Sequence, residues 1–131
     1  MEGSIKELAS YRIDRAKEML AAAEDNLKAG QLRTSLNRSY YGVFHAMRAA
    51  NVLRGFDSSK HSGVIAFFNK FFLKDNLMDR RLSQIIKDTS YLREKSDYDD
   101  FYIASREEAE TQLMNAKKFV NAVENYINIS C

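Results

Sequence analysis

The stretch QLRTSLNRSYYGVFHAMRAANVLR, residues 31–54, decides the fold class of this chain. It contains no proline, and it lies between Gly30 and Gly55, which can each adopt the left-handed conformation that ends a helix. Its apolar residues recur at helical spacing and fall within roughly 40° of Leu36 on a helical wheel. These residues are Leu36, Tyr40, Val43, Met47 and Ala50. The stretch therefore predicts a long helix with one face turned to a core.

The segments on either side also have helical spacing. Ser4 and Glu7 have the form of a capping box, which predicts a first helix from about residue 4 to Gly30. Cap candidates at residues 57–59 precede a third helix over residues 61–74, whose phenylalanines we expect in the core and not as a platform for stacking bases. A fourth helix is predicted from about 79 to 95, with a polar loop after it.

A second capping box, Ser105 with Glu108, predicts the start of a last helix. The whole chain thus has four long helical segments and one short one, joined by short connections. This pattern predicts an all-α fold, an up-and-down four-helix bundle with one extra short helix. The 131 residues, of which 45% are hydrophobic and 29% charged, suit a single helical domain over residues 1–131.

Composition excludes several classes of protein. The net charge of +2 is too small for a protein that grips duplex nucleic acid mainly through phosphates. The only cysteine is Cys131, so we expect neither an internal disulfide nor a cysteine-based metal cluster. Two histidines on different helices, without a Glu-x-x-His pair, offer no ligand set, so neither a metal site nor a cofactor is predicted.

The chain shows no sign of membrane insertion or export. No apolar run approaches the roughly 18 residues that span a bilayer. The first residues, MEGSIKELAS, lack the basic start and the apolar stretch of a signal peptide. We therefore expect a cytoplasmic protein with no membrane partner.

The second helix has a distinctive polar face. Arg38, Tyr41, His45 and Arg48 fall roughly 120° to 200° from Leu36, opposite the apolar face, and no acidic residue accompanies them. We call these four residues the polar stripe. It is interpreted either as a solvated face, with a histidine that caps a carbonyl, or as a surface that meets a partner such as a second copy of the chain.

The stripe also combines two useful chemical groups. An arginine holds a phosphate and stabilises charge that develops on it, while a histidine moves a proton near neutral pH. Together they suffice to cleave a phosphodiester without a metal when the neighbouring 2′-hydroxyl attacks, which makes RNA the substrate. The spacing of Arg38 and His45 alone occurs often by chance in helices.

Three groups of residues carry a resemblance to a known family: NRSYYGVFHA at 37–46, KHSGVI at 60–65, and Arg93 with Asp97 and Tyr98. Over nearly its whole length the chain resembles small prokaryotic HEPN-domain proteins. The resemblance implies a helical bundle and, in many members, a metal-independent ribonuclease of toxin type whose R-x(4–6)-H motif is assembled by two protomers. Arg38 and His45 fit that motif, with six residues between them.

The resemblance also implies a partner, a small nucleotidyltransferase that acts as antitoxin. Two positions depart from the pattern of active members. Ser39 follows the arginine where many members have Asn, Asp or His, and Met47 stands where one toxin group has a tyrosine that the antitoxin modifies. Regulation by nucleotide transfer to that tyrosine is therefore not predicted.

The remaining candidate residues have two interpretations each. Asn37, Tyr41 and Arg48 are assigned supporting roles next to Arg38 and His45. His61, at the start of the third helix, either caps or packs that helix or contacts substrate. Asp97 and Tyr98 either orient Arg38 or His45 by hydrogen bonding or form an acidic loop with an anchoring tyrosine.

Three functional hypotheses follow from the sequence. The first is a homodimeric ribonuclease in which His45 is the acid/base and Arg38 stabilises the phosphorane. The second is a non-catalytic module that uses the same stripe to bind a nucleotide or a nucleotidyltransferase. The third is a helical oligomerisation domain in which the stripe is only a hydrated interface.

Overall fold

The computed structural model describes residues 2–130, and all regular elements within them are helical. The helices are α1 (Glu2–Lys28), α2 (Leu32–Val52), α3 (His61–Phe68), α4 (Leu82–Tyr98) and α5 (Arg106–Ser130). A π-helical turn, Asn69–Leu73, continues α3. The prediction of an all-α fold with four long helices and one short one is confirmed. Within residues 2–130, no helix is long and apolar enough to cross a bilayer.

The second helix lies at the centre of the bundle, because α2 packs against α1, α3, α4 and α5. All five residues of its predicted apolar face are at most 1% exposed. The approach of α1 is especially close at Gly42, where an added Cβ would lie 2.7 Å from Leu20 Cδ2. A side chain at position 42 would therefore force the Leu20 side chain of α1 to shift.

The two predicted capping boxes have opposite outcomes. Ser105 and Glu108 form theirs: the Glu108 N–H donates to Ser105 Oγ at 3.0 Å, and the Ser105 N–H donates to the Glu108 carboxylate at 3.2 Å. The box at Ser4 and Glu7 is wrong, because α1 already begins at Glu2 and Ser4 lies inside the helix. A local motif marks a helix start only where the preceding residues leave the helical conformation.

The predicted polar loop after the fourth helix is also partly wrong, since Asp97 and Tyr98 form the last turn of α4. The side chain of Arg33, on α2, donates to the carbonyl oxygens of Ser96 and Asp99 at 2.9 and 2.5 Å. These bonds satisfy carbonyls that a helix end leaves free, so they stabilise a turn that local sequence does not favour. The helix therefore extends to Tyr98 because of a contact from a distant segment.

The phenylalanines of α3 and its π-helical turn belong to the core, as predicted. Phe68 and Phe72 are fully buried, and Phe67 and Phe71 are partly buried against them. Ser58 Oγ accepts a hydrogen bond from the Lys60 N–H at 3.1 Å just before α3, within the predicted cap segment. These contacts fix the start of α3, and with it His61, beside α2.

Candidate functional site

A chain of polar contacts joins the start of the polar stripe to α4. Asn37 Nδ2 donates to both carboxylate oxygens of Asp97, at 3.0 and 3.2 Å. Arg38 Nη1 in turn donates to Asn37 Oδ1 at 2.5 Å. Asp97 also lies 3.6 Å from Arg93 Nη1, one helical turn earlier on α4. Asp97 therefore reaches Arg38 through Asn37, and it balances the charge of Arg93 directly.

Next to this chain lies a group of stacked rings that we call the aromatic cluster: Tyr40, Tyr41, Phe44 and His61. The His61 ring stacks on Phe44, with centroids 4.3 Å apart and planes 17° from parallel. It meets Tyr41 edge-on at 5.7 Å. The guanidinium carbon of Arg93 lies 4.7 Å from the centre of the Tyr40 ring, which is cation–π distance. The cluster therefore connects α2, α3 and α4 at one place.

His61 is held in the cluster by a hydrogen bond as well as by stacking. Its Nδ1 lies 2.6 Å from the hydroxyl oxygen of Tyr40, a residue that is 0% exposed. The residue before α3, Lys60, makes no side-chain capping bond. Of the roles predicted for His61, packing is the one that these contacts support.

His45 lies on the same face of α2, one turn beyond Tyr41. Its ring centroid is 6.3 Å from that of Tyr41 and 5.9 Å from that of Phe44. Burial lowers the pKa of His45 to about 4, and the positive charges of Arg15 and Arg48 add to this effect. The imidazole is consequently neutral near pH 7, with one ring nitrogen unprotonated.

Two of the predicted site residues lie outside this assembly. Arg48 shares the carboxylate of Asp57, in the loop between α2 and α3, with Arg12 of α1, each at 3.0 Å. Its influence on His45 is electrostatic. Tyr98 is 76% exposed and takes no part in the contacts described above. The other six candidates form two neighbouring groups that Arg93 links: Asn37, Arg38 and Asp97 in the polar chain, and Tyr41, His45 and His61 at the aromatic cluster.

The sequence profile of the HEPN domain matches residues 9–126, which is most of the chain. The chain belongs to the HEPN family. This agrees with the resemblance that residues 37–46, 60–65 and 93–98 had indicated.

Other proteins of similar length resemble this chain. A Thermotoga maritima protein of the group UPF0332 is 30% identical over 93% of this chain and 92% of its own length. A Methanocaldococcus jannaschii protein, named as a candidate toxin, is 30% identical over 97% of this chain and 86% of its own. The crystal structure of TT1696 from Thermus thermophilus has the same fold, with a TM-score of 0.76 at 21% identity over 90% of this chain and 97% of that one.

The two positions that depart from the pattern of active HEPN members both face the core. Ser39 and Met47 are each 0% exposed. A longer side chain at position 39 or a ring at position 47 would have to displace core residues that are packed around α2. These positions are therefore determined by packing in this chain, and they contribute no group to the polar stripe.

Sequence reasoning missed three residues that shape the HEPN site. Arg93 entered only through the resemblance, although its spacing from Asp97 is that of an i,i+4 ion pair and predicts the contact. Tyr40 was assigned to the core, and its hydroxyl is the partner of His61. Arg15, which helps to lower the pKa of His45, lies on α1, so no pattern within α2 indicates it.

Proposed function

We propose that this HEPN protein is a metal-independent ribonuclease of toxin type in which His45 and Arg38 act on the phosphodiester. The observation that carries the proposal is the pairing, on one face of α2, of a neutral imidazole with a guanidinium held by Asn37. Two relatives from Methanocaldococcus jannaschii, named as candidate toxins and each 30% identical, support the biological class.

In the proposed reaction, His45 takes the proton of the RNA 2′-hydroxyl, and the 2′-oxygen attacks the adjacent phosphorus. The bond from phosphorus to the 5′-oxygen breaks and that oxygen takes up a proton, which gives a 2′,3′-cyclic phosphate and a free 5′-hydroxyl. Arg38 neutralises the charge that develops on the non-bridging oxygens. DNA is not a substrate, because it lacks the nucleophile.

We further propose that two copies of the chain meet through the polar stripe. A two-fold axis there places two Arg38 and two His45 side chains around one substrate, and the half-buried rings of Tyr41 and His45 then bury their remaining surface. A small nucleotidyltransferase that acts as antitoxin is the proposed partner, and only the family resemblance supports it.

The test is RNA cleavage by the purified protein in the presence of EDTA. We expect cleavage by the wild type and a loss of about 10²- to 10⁴-fold in His45→Ala and in Arg38→Ala, the range that a lost acid/base or charge-stabilising group produces. Arg81→Ala is the matched control, since its side chain is 91% exposed and pairs with nearby Asp79. Activity that survives both site substitutions, with helical content unchanged by circular dichroism, contradicts the proposal.

A second function, binding without catalysis, is favoured by one observation. The pKa of about 4 makes His45 a weak base, whereas Arg38 is well held for an anion. In that case the wild type binds a labelled oligonucleotide or a nucleotide without cleaving RNA, and Arg38→Ala abolishes the binding. The same titration, run beside the cleavage assay, separates the two functions.

A further inference from the structure

We propose that His61 is a second catalytic histidine, the group that donates a proton to the 5′-oxygen as it leaves phosphorus. This inference rests on the ribonuclease function proposed above and assigns the other half of its proton transfer. Two histidines then divide the work: His45 removes the proton of the attacking hydroxyl, and His61 supplies the proton of the leaving group.

The first support is the position of His61 relative to His45. The two imidazoles come from different helices, but both pack on the same pair of rings. Phe44 lies 4.3 Å from the His61 centroid and 5.9 Å from that of His45, and Tyr41 lies 5.7 and 6.3 Å from them. His61 and His45 therefore pack on the same two rings, and the proposal places the phosphodiester within reach of both imidazoles.

The second support is the bond between His61 Nδ1 and the Tyr40 hydroxyl at 2.6 Å. Burial raises the pKa of Tyr40 to about 12, so this group stays a phenol. A phenol oxygen accepts a hydrogen bond from the Nδ1–H of the imidazolium, and equally from the Nδ1–H of the neutral ring that remains once the Nε2 proton is lost. Tyr40 therefore satisfies His61 before and after proton transfer, and it leaves Nε2 as the atom that exchanges a proton with substrate.

The third support is Arg93. Its guanidinium lies over the Tyr40 ring at 4.7 Å and over the Tyr41 ring at 5.9 Å, and Asp97 anchors it from the same helix. Arg93 thus holds the tyrosine that holds His61. Burial, together with the charge of Arg93, also lowers the pKa of His61, so its imidazolium is a stronger acid, although a smaller fraction of the rings carries the proton near pH 7.

The complete step balances in protons and bonds. The neutral ring of His45 takes the 2′ proton while the bond between the 2′-oxygen and phosphorus forms. The bond between phosphorus and the 5′-oxygen breaks, and that oxygen takes the Nε2 proton of the His61 imidazolium. The products are a 2′,3′-cyclic phosphate and a 5′-hydroxyl, with His45 charged and His61 neutral. Exchange with water restores both histidines.

The test uses two dinucleotides, one with the natural 5′-oxygen and one with sulfur in its place. A thiolate leaves without a proton, so the sulfur substrate does not need a general acid. We expect His61→Gln to lose about 10²- to 10³-fold in kcat on the oxygen substrate and less than about threefold on the sulfur substrate. His45→Ala loses activity on both, because the nucleophile is the same.

Two further variants guard against a trivial loss of fold. His61→Phe keeps a ring to stack on Phe44 but has no proton to give, so we expect it to behave like His61→Gln. Ser62→Ala changes the next, exposed residue on α3 and retains full activity. Each variant is compared with the wild type by circular dichroism and thermal melting.

The possible results are distinct. Equal losses on both substrates, or no loss on either, overturn the assignment of His61 and leave the ribonuclease function standing. A wild-type protein that cleaves neither dinucleotide nor longer RNA overturns the ribonuclease function and the role of His61 with it. His61 is supported as the proton donor only if its variants lose activity on the oxygen substrate and keep it on the sulfur substrate.

Discussion

The two ends of the polar stripe have opposite electrostatic surroundings. At the Arg38 end, a carboxylate from α4 lies within reach, because Asp97 accepts from Asn37 and balances Arg93. At the His45 end, several arginines surround the imidazole, and the nearby carboxylate of Asp57 is shared by two of them. The first end keeps a cation fixed in position, whereas the second keeps an imidazole uncharged.

This difference shows how one helix can present two chemical roles two turns apart. An arginine is charged in any surroundings, so its site has to determine where the guanidinium lies. A histidine changes its charge near neutral pH, so its site has to determine the protonation state. The contacts from α4 do the first, and burial does the second, with the arginines of α1 and α2 adding to it.

The largest expected effect comes from removing either end. Expression of the wild type in a bacterial host without a nucleotidyltransferase partner should arrest growth, because free ribonuclease degrades cellular RNA. His45→Ala and Arg38→Ala should each permit growth, with colony counts about 10²-fold or more above the wild type, in line with their loss of cleavage. Arg81→Ala should arrest growth like the wild type. Growth arrest by all four proteins would show that toxicity does not depend on the Arg38 and His45 side chains of the polar stripe.

The protonation of His45 should also appear in the stability of the fold. Its pKa is about 4 in the folded protein and 6.5 when unfolded, so between these values the unfolded chain binds more protons. The free energy of unfolding should therefore fall as pH drops from about 6.5 to 4, by up to roughly 3 kcal/mol from this residue. Urea denaturation across this range measures it.

His45→Gln is the control for that measurement. It removes the titrating group, so its free energy of unfolding should decline less steeply than that of the wild type over the same pH range. The charged groups that face His45 are Arg12, Arg15 and Glu18 from α1 and Arg48 from α2. Parallel curves for the two proteins would show that His45 titrates normally in the folded state.

A smaller effect should follow from loosening the Arg38 end alone. Asn37→Ala removes the link between Asp97 and Arg38, so the guanidinium gains freedom while His45 keeps its surroundings. We expect about a tenfold loss in kcat/KM for RNA cleavage, the order that one hydrogen bond to a charged group produces. Asn125→Ala, an exposed asparagine on α5, is the matched control. An unchanged kcat/KM would mean that the link does not position Arg38.

The smallest effect should come from Arg15→Gln, which removes one of the charges that face His45. Because burial is the larger cause, the pKa of His45 should rise by less than about one unit. The titration of the His45 ring protons by NMR measures this shift, with Arg81→Ala as control. A rise of two units or more would mean that charge, and not burial, sets the pKa.

Much of the fold could be predicted from α2. This helix lies at the centre of the bundle, so the spacing of its apolar residues identifies the face that packs in the core. The buried face from Leu36 to Ala50 and the seven-residue spacing of Arg38 and His45 are both local patterns. The end of α4 could not be predicted in this way, since Arg33 stabilises it from another helix. The start of α1 was misplaced because a capping box resembles an ordinary helical segment in sequence.

The candidate site could likewise be predicted only in part. Residues on α2 could be identified from spacing, but the surroundings that give them properties come from other helices. Arg93 reaches Tyr40 from α4, and Arg15 reaches His45 from α1. His61 could be noted as a chemical group, whereas its bond to a buried tyrosine needs the packing of α3 on α2.

The absence of a side chain at Gly42 has a consequence for the pKa of His45. Because this position carries no methyl group, the backbone of α1 comes within 3.5 Å of where one would be, at the Ala16 carbonyl oxygen. Arg15 is the neighbour of Ala16, so the same closeness brings its charge towards His45, three residues along α2 from the glycine. Gly42, which has no functional group, thus affects the proton affinity of His45. The spacing between α1 and α2 therefore contributes to the basicity of the imidazole.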